Sequence, residues 1–118
     1  MSSTVLTIYH NPACSTSRKV LGMLRDSGAE VEVVDYLKTG WTRPLLERLL
    51  QAMHAAPRDI LRAREPLARE MGLAEPGVAG DAILDAMIAH PVLVERPIVV
   101  GAKGTVLARP AEAVEALL

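Results

Sequence analysis

Two strand-like runs, Val5-Leu6-Thr7-Ile8-Tyr9 and Val31 to Leu37, flank a segment of helical length. This spacing constrains the fold more than any other feature. A connection that long does not make a tight hairpin, so the two strands are expected to pair in parallel across a crossover helix. His10-Asn11-Pro12-Ala13 breaks the first run. Thr16 or Ser17 is then expected to cap a helix with Val20, Leu21 and Leu24 on one face, ending at Gly28.

The middle of the chain changes period. Thr42 with Pro44 opens a helix bearing Leu45, Leu46, Leu49, Leu50 and Met53 on one side. Further helical segments are expected around Arg58–Arg64, Pro66–Met71 and Asp81–Ala89, separated by Pro57, Gly72 and the Pro76–Gly80 loop. The tail returns to β structure. Ile98-Val99-Val100, the turn Gly101-Ala102-Lys103-Gly104 and Thr105-Val106-Leu107 read as an antiparallel hairpin. Pro110 starts a last helix, with Val114, Leu117 and Leu118 facing inward. The order is βαβ, a helical block, then ββα. This is an α/β chain whose outer parts follow the thioredoxin-like pattern: a mixed four-stranded sheet with helices on its faces. The expected organisation is one domain, 1–118, with a helical insertion at about 42–90.

At 118 residues the chain suffices for one hydrophobic core, and 50% apolar residues exclude a disordered chain. With two Tyr, one Trp and no Phe, that core must be aliphatic. A net charge of −1 suggests neither nucleic acid nor an acidic membrane surface as partner. Met1 to Tyr9 lacks the basic start and long apolar stretch of a secretory signal, and no run approaches the roughly 20 apolar residues of a membrane span. The single cysteine, Cys14, forms no internal disulfide and supplies no structural zinc site. A reducing cytoplasm and a monomer are the expectation.

Cys14 falls between the first strand and the first helix, where free amide groups and the positive end of the helix dipole favour a thiolate. A lone cysteine often serves as a small buried hydrophobe. Here the flanks, His10-Asn11-Pro12 and Ser15-Thr16-Ser17, are polar turn material and favour a reactive thiol. Ser17 completes a Cys-x-x-Ser and is placed to donate a hydrogen bond to the thiolate. Arg18 and Lys19 oppose the dipole in the first helical turn, a placement best explained by a nearby anion. His10 is either a partner that lowers the Cys14 pKa or a surface turn residue. His54 and His90 sit at helix ends and read as structural. A Cys-x5-Arg phosphate loop fails, because Val20 stands where the arginine is needed. There is no Gly-x4-Gly-Lys nucleotide loop, and no His/Cys/carboxylate spacing of a metal site. Gly101-Ala102-Lys103-Gly104 resembles a Gly-x-x-Gly nucleic-acid loop but is better explained as the hairpin turn.

Arginine matches a tetrahedral oxyanion with its fork of donors. Arg96-Pro97 precedes the third strand and Arg109-Pro110 follows the fourth, so the hairpin brings both arginines to one edge of the sheet. The Arg96-Pro97 bond is a candidate for the cis isomer. Nothing in the residues alone prefers Arg62 over Arg58, Arg64 or Arg69.

The run from Tyr9 to Arg18, with Leu61-Arg62, His90-Pro91, Glu95-Arg96-Pro97-Ile98-Val99-Val100 and Ala108-Arg109-Pro110, resembles the glutaredoxin-linked arsenate reductases of the ArsC family, essentially end to end. The resemblance implies a thioredoxin-like fold with a helical insertion. It implies Cys14 as nucleophile, Arg62, Arg96 and Arg109 as oxyanion-binding arginines, and His10 as a neighbour favouring the thiolate. The implied partners are arsenate, glutathione as co-substrate and a glutaredoxin, with no bound cofactor or metal. Two other readings stay open at this point. One is a thiol sensor or regulatory binding module of the Spx type, although such regulators usually carry a Cys-x-x-Cys that this chain lacks. The other is a monothiol glutaredoxin holding an iron–sulfur cluster.

Overall fold

In the computed structural model, which describes residues 5–118, the sheet grows from the opening strand–helix–strand run. Residues 1–4, part of the stretch read as lacking a leader, lie outside the described residues. Strand β1, Val5–His10, pairs in parallel with β2, Glu30–Asp35, placing Leu6 opposite Val31 and His10 opposite Asp35. Helix α1, Ser15–Asp26, makes the crossover, and Gly28 at φ 81° lets the chain leave it in the left-handed conformation. Strand β3, Ile98–Gly101, runs antiparallel to β1 and turns through Ala102-Lys103 into β4, Gly104–Leu107. The sheet order is β2-β1-β3-β4. This is the mixed four-stranded sheet expected from the sequence.

The chain divides into two units. One comprises the described residues up to Thr39 together with Arg96–Leu118, and the other is Gly40–Glu95. The sheet unit has an aliphatic core. Leu6 and Ile8 of β1, Val20 and Leu24 of α1, and Val99 of β3 meet Ala108, Ala111, Val114 and Leu117 of the tail. The tail helix, Ala111–Leu117, is a 3-10 helix. Its three-residue turn puts Ala111, Val114 and Leu117 in one row, so Leu118 is 41% exposed rather than inward. A second correction concerns β2. It stops at Asp35, and Tyr36–Thr39 forms the short helix α2 instead of continuing the strand. Asp35 Oδ1 accepts the Leu37 N–H at 3.1 Å, the local bond by which an aspartate turns the chain.

The helical unit carries α3, Arg43–Met53, whose Thr42 cap accepts the Leu45 N–H at 3.3 Å. It also carries α4, Pro66–Glu70, and α5, Gly80–Ala89. Leu46, Leu49 and Leu50 of α3 and Ile83, Leu84 and Met87 of α5 are buried, as the apolar spacing requires. His54 and His90 cap the C-terminal ends of α3 and α5. The expected helix around Arg58–Arg64 is only a 3-10 turn, Pro57–Ile60. Past it, Leu61 bridges antiparallel to Val94, the Arg62 N–H donates to the Leu93 carbonyl at 2.8 Å, and the Glu95 N–H donates to Ile60 at 2.8 Å. Pairing with a distant stretch of chain has overridden local helical preference there. Among the described residues, no helix is long and apolar enough to cross a membrane.

Candidate active site

Asn11 builds the platform for the cysteine. Its carbonyl accepts the Cys14 N–H at 3.0 Å and its side-chain Oδ1 accepts the Ala13 N–H at 2.9 Å, closing the turn through Pro12. Cys14 is therefore already at the helix start, and it, rather than Thr16 or Ser17, is the N-cap of α1. This leaves the first-turn amides of Thr16 and Ser17 directed at the thiol. The Ser17 hydroxyl serves elsewhere: it lies 2.6 Å from His10 Nδ1 and accepts the Asn11 N–H at 3.1 Å.

The two sheet-edge arginines also come to Cys14. The cis Arg96-Pro97 and Arg109-Pro110 bonds flank β3 and β4. Arg109 Nη1 stands 3.9 Å from Cys14 Sγ and also donates to the Arg96 carbonyl at 3.0 Å. The buried Arg96 guanidinium hydrogen-bonds the thiol. Burial pushes the Cys14 thiol up, but the Ser17 amide, the Arg96 guanidinium and the Thr16 amide together outweigh it and hold the thiol below the ordinary range. The result is a half-buried sulfur, favoured as thiolate, facing two cations.

His10 is buried, and burial lowers its affinity for a proton. Asp35 opposes that effect, while Arg25 and Arg18 add to it. The imidazole is thus shifted towards its neutral form, and it meets Ser17 at the start of α1. Arg18 donates to the Pro12 carbonyl at 2.8 Å, steadying the turn before Cys14, and Lys19 pairs with Glu112 at 3.0 Å. Arg62 belongs to the helical unit. It is mostly buried between Glu95, at 3.0 Å, and Glu65, at 3.4 Å. The reading of the residues did not anticipate these two carboxylates, nor the structural part of Asn11. The Asn-Pro dipeptide was the available signal for the turn, whereas nothing local marks Glu95 as a partner for Arg62. Among the described residues, no group of three or more His, Cys, Asp or Glu side chains is placed to hold a metal ion.

The chain as a whole resembles proteins already known. Residues 9–117 match the profile of the ArsC family. An arsenate reductase of Synechocystis sp. is 45% identical over 118 residues, spanning 100% of this chain and 82% of the relative. One from Escherichia coli (strain K12) is 46% identical over 113 residues, 96% of this chain and 80% of the relative. In three dimensions, an arsenate reductase from Vibrio cholerae superposes with a TM-score of 0.93 at 37% identity, covering 99% of this chain and 100% of the other. An arsenate reductase (ArsC) related protein from Brucella melitensis, 24% identical with a TM-score of 0.70 over 98% and 96% of the two chains, shows the shared fold alone.

Proposed function

The chain belongs to the ArsC family, and from that premise we propose that it is an arsenate reductase working through Cys14, with glutathione and a glutaredoxin as reductants. The Cys14 thiolate attacks the arsenic of arsenate. A sulfur–arsenic bond forms and an arsenate oxygen leaves as water after protonation. Glutathione replaces a second hydroxyl in the same way. A glutaredoxin thiolate then attacks the glutathione sulfur, the sulfur–arsenic bond breaks, and its electron pair reduces arsenic(V) to arsenic(III). Hydrolysis of the remaining bond frees arsenite and restores Cys14.

One observation carries this reading: Arg109 Nη1 lies 3.9 Å from a thiol that the Arg96 guanidinium also contacts. An anion that both arginines hold is presented to a sulfur already favoured as thiolate, and both cations oppose the charge that builds up during attack. Arg62 is assigned as an oxyanion-binding arginine by its place in the family motif. His10, Ser17 and Arg18 hold the loop and helix start in the form that supports the thiolate. Because Cys14 is the only cysteine, the other thiols come from outside. Glutathione is accordingly a co-substrate, no cofactor stays bound, and a monomer in the reducing cytoplasm suits the scheme.

The test is arsenate-dependent NADPH oxidation coupled through glutathione reductase, with glutathione and glutaredoxin present and Cys14→Ser alongside. Turnover that requires arsenate, glutaredoxin and Cys14 is expected. Folded protein with a free thiol and no turnover would refute the arsenate reductase and move the function to another oxyanion or to thiol sensing.

A further inference from the structure

Outside the oxyanion site, the sheet unit has a recess of about 330 Å3 lined by His10, Pro12, Arg18, Leu21, Gly22 and Arg25. Its wall is one face of α1, since positions 18, 21, 22 and 25 fall at helical spacing. The recess begins one turn from the nucleophile, because the Arg18 N–H donates to the Cys14 carbonyl at 3.0 Å. The geometry points to a binding site for the carboxylate-bearing body of glutathione, resting on the thiol dependence proposed above.

Gly22 is the first ground. Glycine inside a helix lowers its stability relative to alanine, so an interior glycine calls for a reason. Neither packing nor backbone conformation supplies one. A Cβ added there would meet no atom within 4 Å, and Gly22 is not among the glycines with positive φ. What its missing side chain does is keep the recess open.

Charge is the second ground. Two arginines line the recess and no carboxylate does. Asp35, which stands opposite His10 in the sheet, turns an oxygen to the Leu37 N–H. Arg18 is held at the rim by the Pro12 carbonyl. Arg25 forms no ion pair with any described residue. Half-buried Leu21 adds an apolar surface between the two arginines. Such a mixture suits a small peptide with carboxylate ends, and the volume falls in the range of about 300–1,000 Å3 usual for small-ligand sites.

Reach agrees with this assignment. From Cys14 to Arg25 along the helix is about 16 Å, and a helical side chain leans back towards the N-terminus, shortening that gap. The sulfur of glutathione lies on its middle residue, about 7 Å of extended chain from a terminal carboxylate. With the Arg25 side chain spanning the rest of the gap, the sulfur can approach Cys14 while a carboxylate meets Arg25.

Disulfide exchange tests the recess without arsenate or glutaredoxin. The Cys14 thiolate attacks one sulfur of glutathione disulfide, the Cys14–glutathione disulfide bond forms, the original sulfur–sulfur bond breaks, and one glutathione thiolate leaves. The rate is read by mass spectrometry and divided by the rate with 2-hydroxyethyl disulfide, which has no carboxylates. Gly22→Leu removes the space without changing charge, and Arg25→Glu reverses the charge without filling the space. In both, the ratio is expected to fall roughly tenfold, as for loss of a charge-assisted contact, while Arg25→Lys retains most of it. An unchanged ratio in folded Gly22→Leu overturns the recess, even where Arg25→Glu lowers it, since the field alone would then suffice. Should Gly22→Leu not fold, Gly22→Met takes its place under the same criterion. A fall in the ratio without arsenate turnover would leave the recess standing and remove the reductase. Turnover with an unmoved ratio would do the reverse.

Discussion

The two units treat polar side chains in opposite ways. In the sheet unit four are buried, His10, Asn11, Ser17 and Arg96 at 5%, 3%, 0% and 8% exposure, and all four stand in the network around Cys14. Among the described residues of the helical unit, no charged, amide, hydroxyl or imidazole side chain is buried to that degree; the buried Trp41 donates its indole N–H to the Pro91 carbonyl. Its arginines work nearer the surface. Arg43 gathers Glu47, Asp81 and Asp85, and Arg58 donates to the carbonyls of Ala74 and Glu75. Burying a polar group costs free energy unless it is bonded, and a fold this small has no structural need for such a cluster. The concentration of buried polar groups at one strand end therefore marks the place where function has shaped the fold. Arg62 is intermediate: it sits in the helical unit, largely buried, yet neutralised by two carboxylates.

The contrast breaks or sharpens under substitution. The largest effect is expected at Arg96. Arg96→Leu should lower arsenate turnover by about 100- to 1,000-fold, the scale of losing one preorganised donor at a developing anion. The pH midpoint of iodoacetamide alkylation of Cys14 should lie below that of an ordinary thiol in the native protein and move upward in this variant. A native turnover rate in folded Arg96→Leu would remove the arginine from the site.

Ser17→Ala comes next. It strips His10 Nδ1 and the Asn11 N–H of a shared buried partner, so a loss of about 1–3 kcal/mol in urea unfolding is expected. Acid probes the same network. Burial, aided by Arg25 and Arg18 against Asp35, depresses the folded His10 pKa, so the unfolded chain binds the proton more readily. The contribution of His10 is thus present above about pH 6.5 and lost as pH falls through its lower folded value. The slope of stability against pH below 6.5 should flatten in His10→Gln; an unaltered slope would place the titration elsewhere.

In the helical unit the expected effects shrink. Thr42→Ala removes the cap of α3 and should cost about 1 kcal/mol by thermal or urea unfolding. Arg43→Ala breaks ion pairs whose Asp81 and Asp85 side chains are 83% and 75% exposed, and should cost less than about 1 kcal/mol. A larger loss at Arg43 than at Ser17 would reverse the contrast between the units.

Much of this architecture was legible beforehand because its signals are local. Alternation and β-branching marked β1, β3 and β4, the helical spacing of Val20 and Leu24 marked α1, and Thr42 with Pro44 marked the start of α3. The lone Cys14 at a strand-to-helix turn also stood out, as did the two Arg-Pro pairs bracketing the hairpin. Two of the misreadings share a cause. Residues near Leu61 have helical character, but their backbone groups are taken by Leu93, Val94 and Glu95, more than thirty positions away. Ser17 is a good cap by composition, but its hydroxyl is claimed by His10 across the strand–helix junction.

Sequence alone determined the order of elements, the aliphatic core and the identity of the nucleophile candidate, because periodicity, turn chemistry and a unique cysteine act within a few neighbouring residues. Tertiary structure decided which atoms meet that sulfur. The distance from Arg109 to Cys14, the bond between His10 and Ser17, the carboxylates on Arg62 and the open space over Gly22 all depend on chain segments far apart or on side-chain direction. Local pattern does not carry that information, since hydrogen bonds, burial and the pKa shifts they cause are set by three-dimensional proximity.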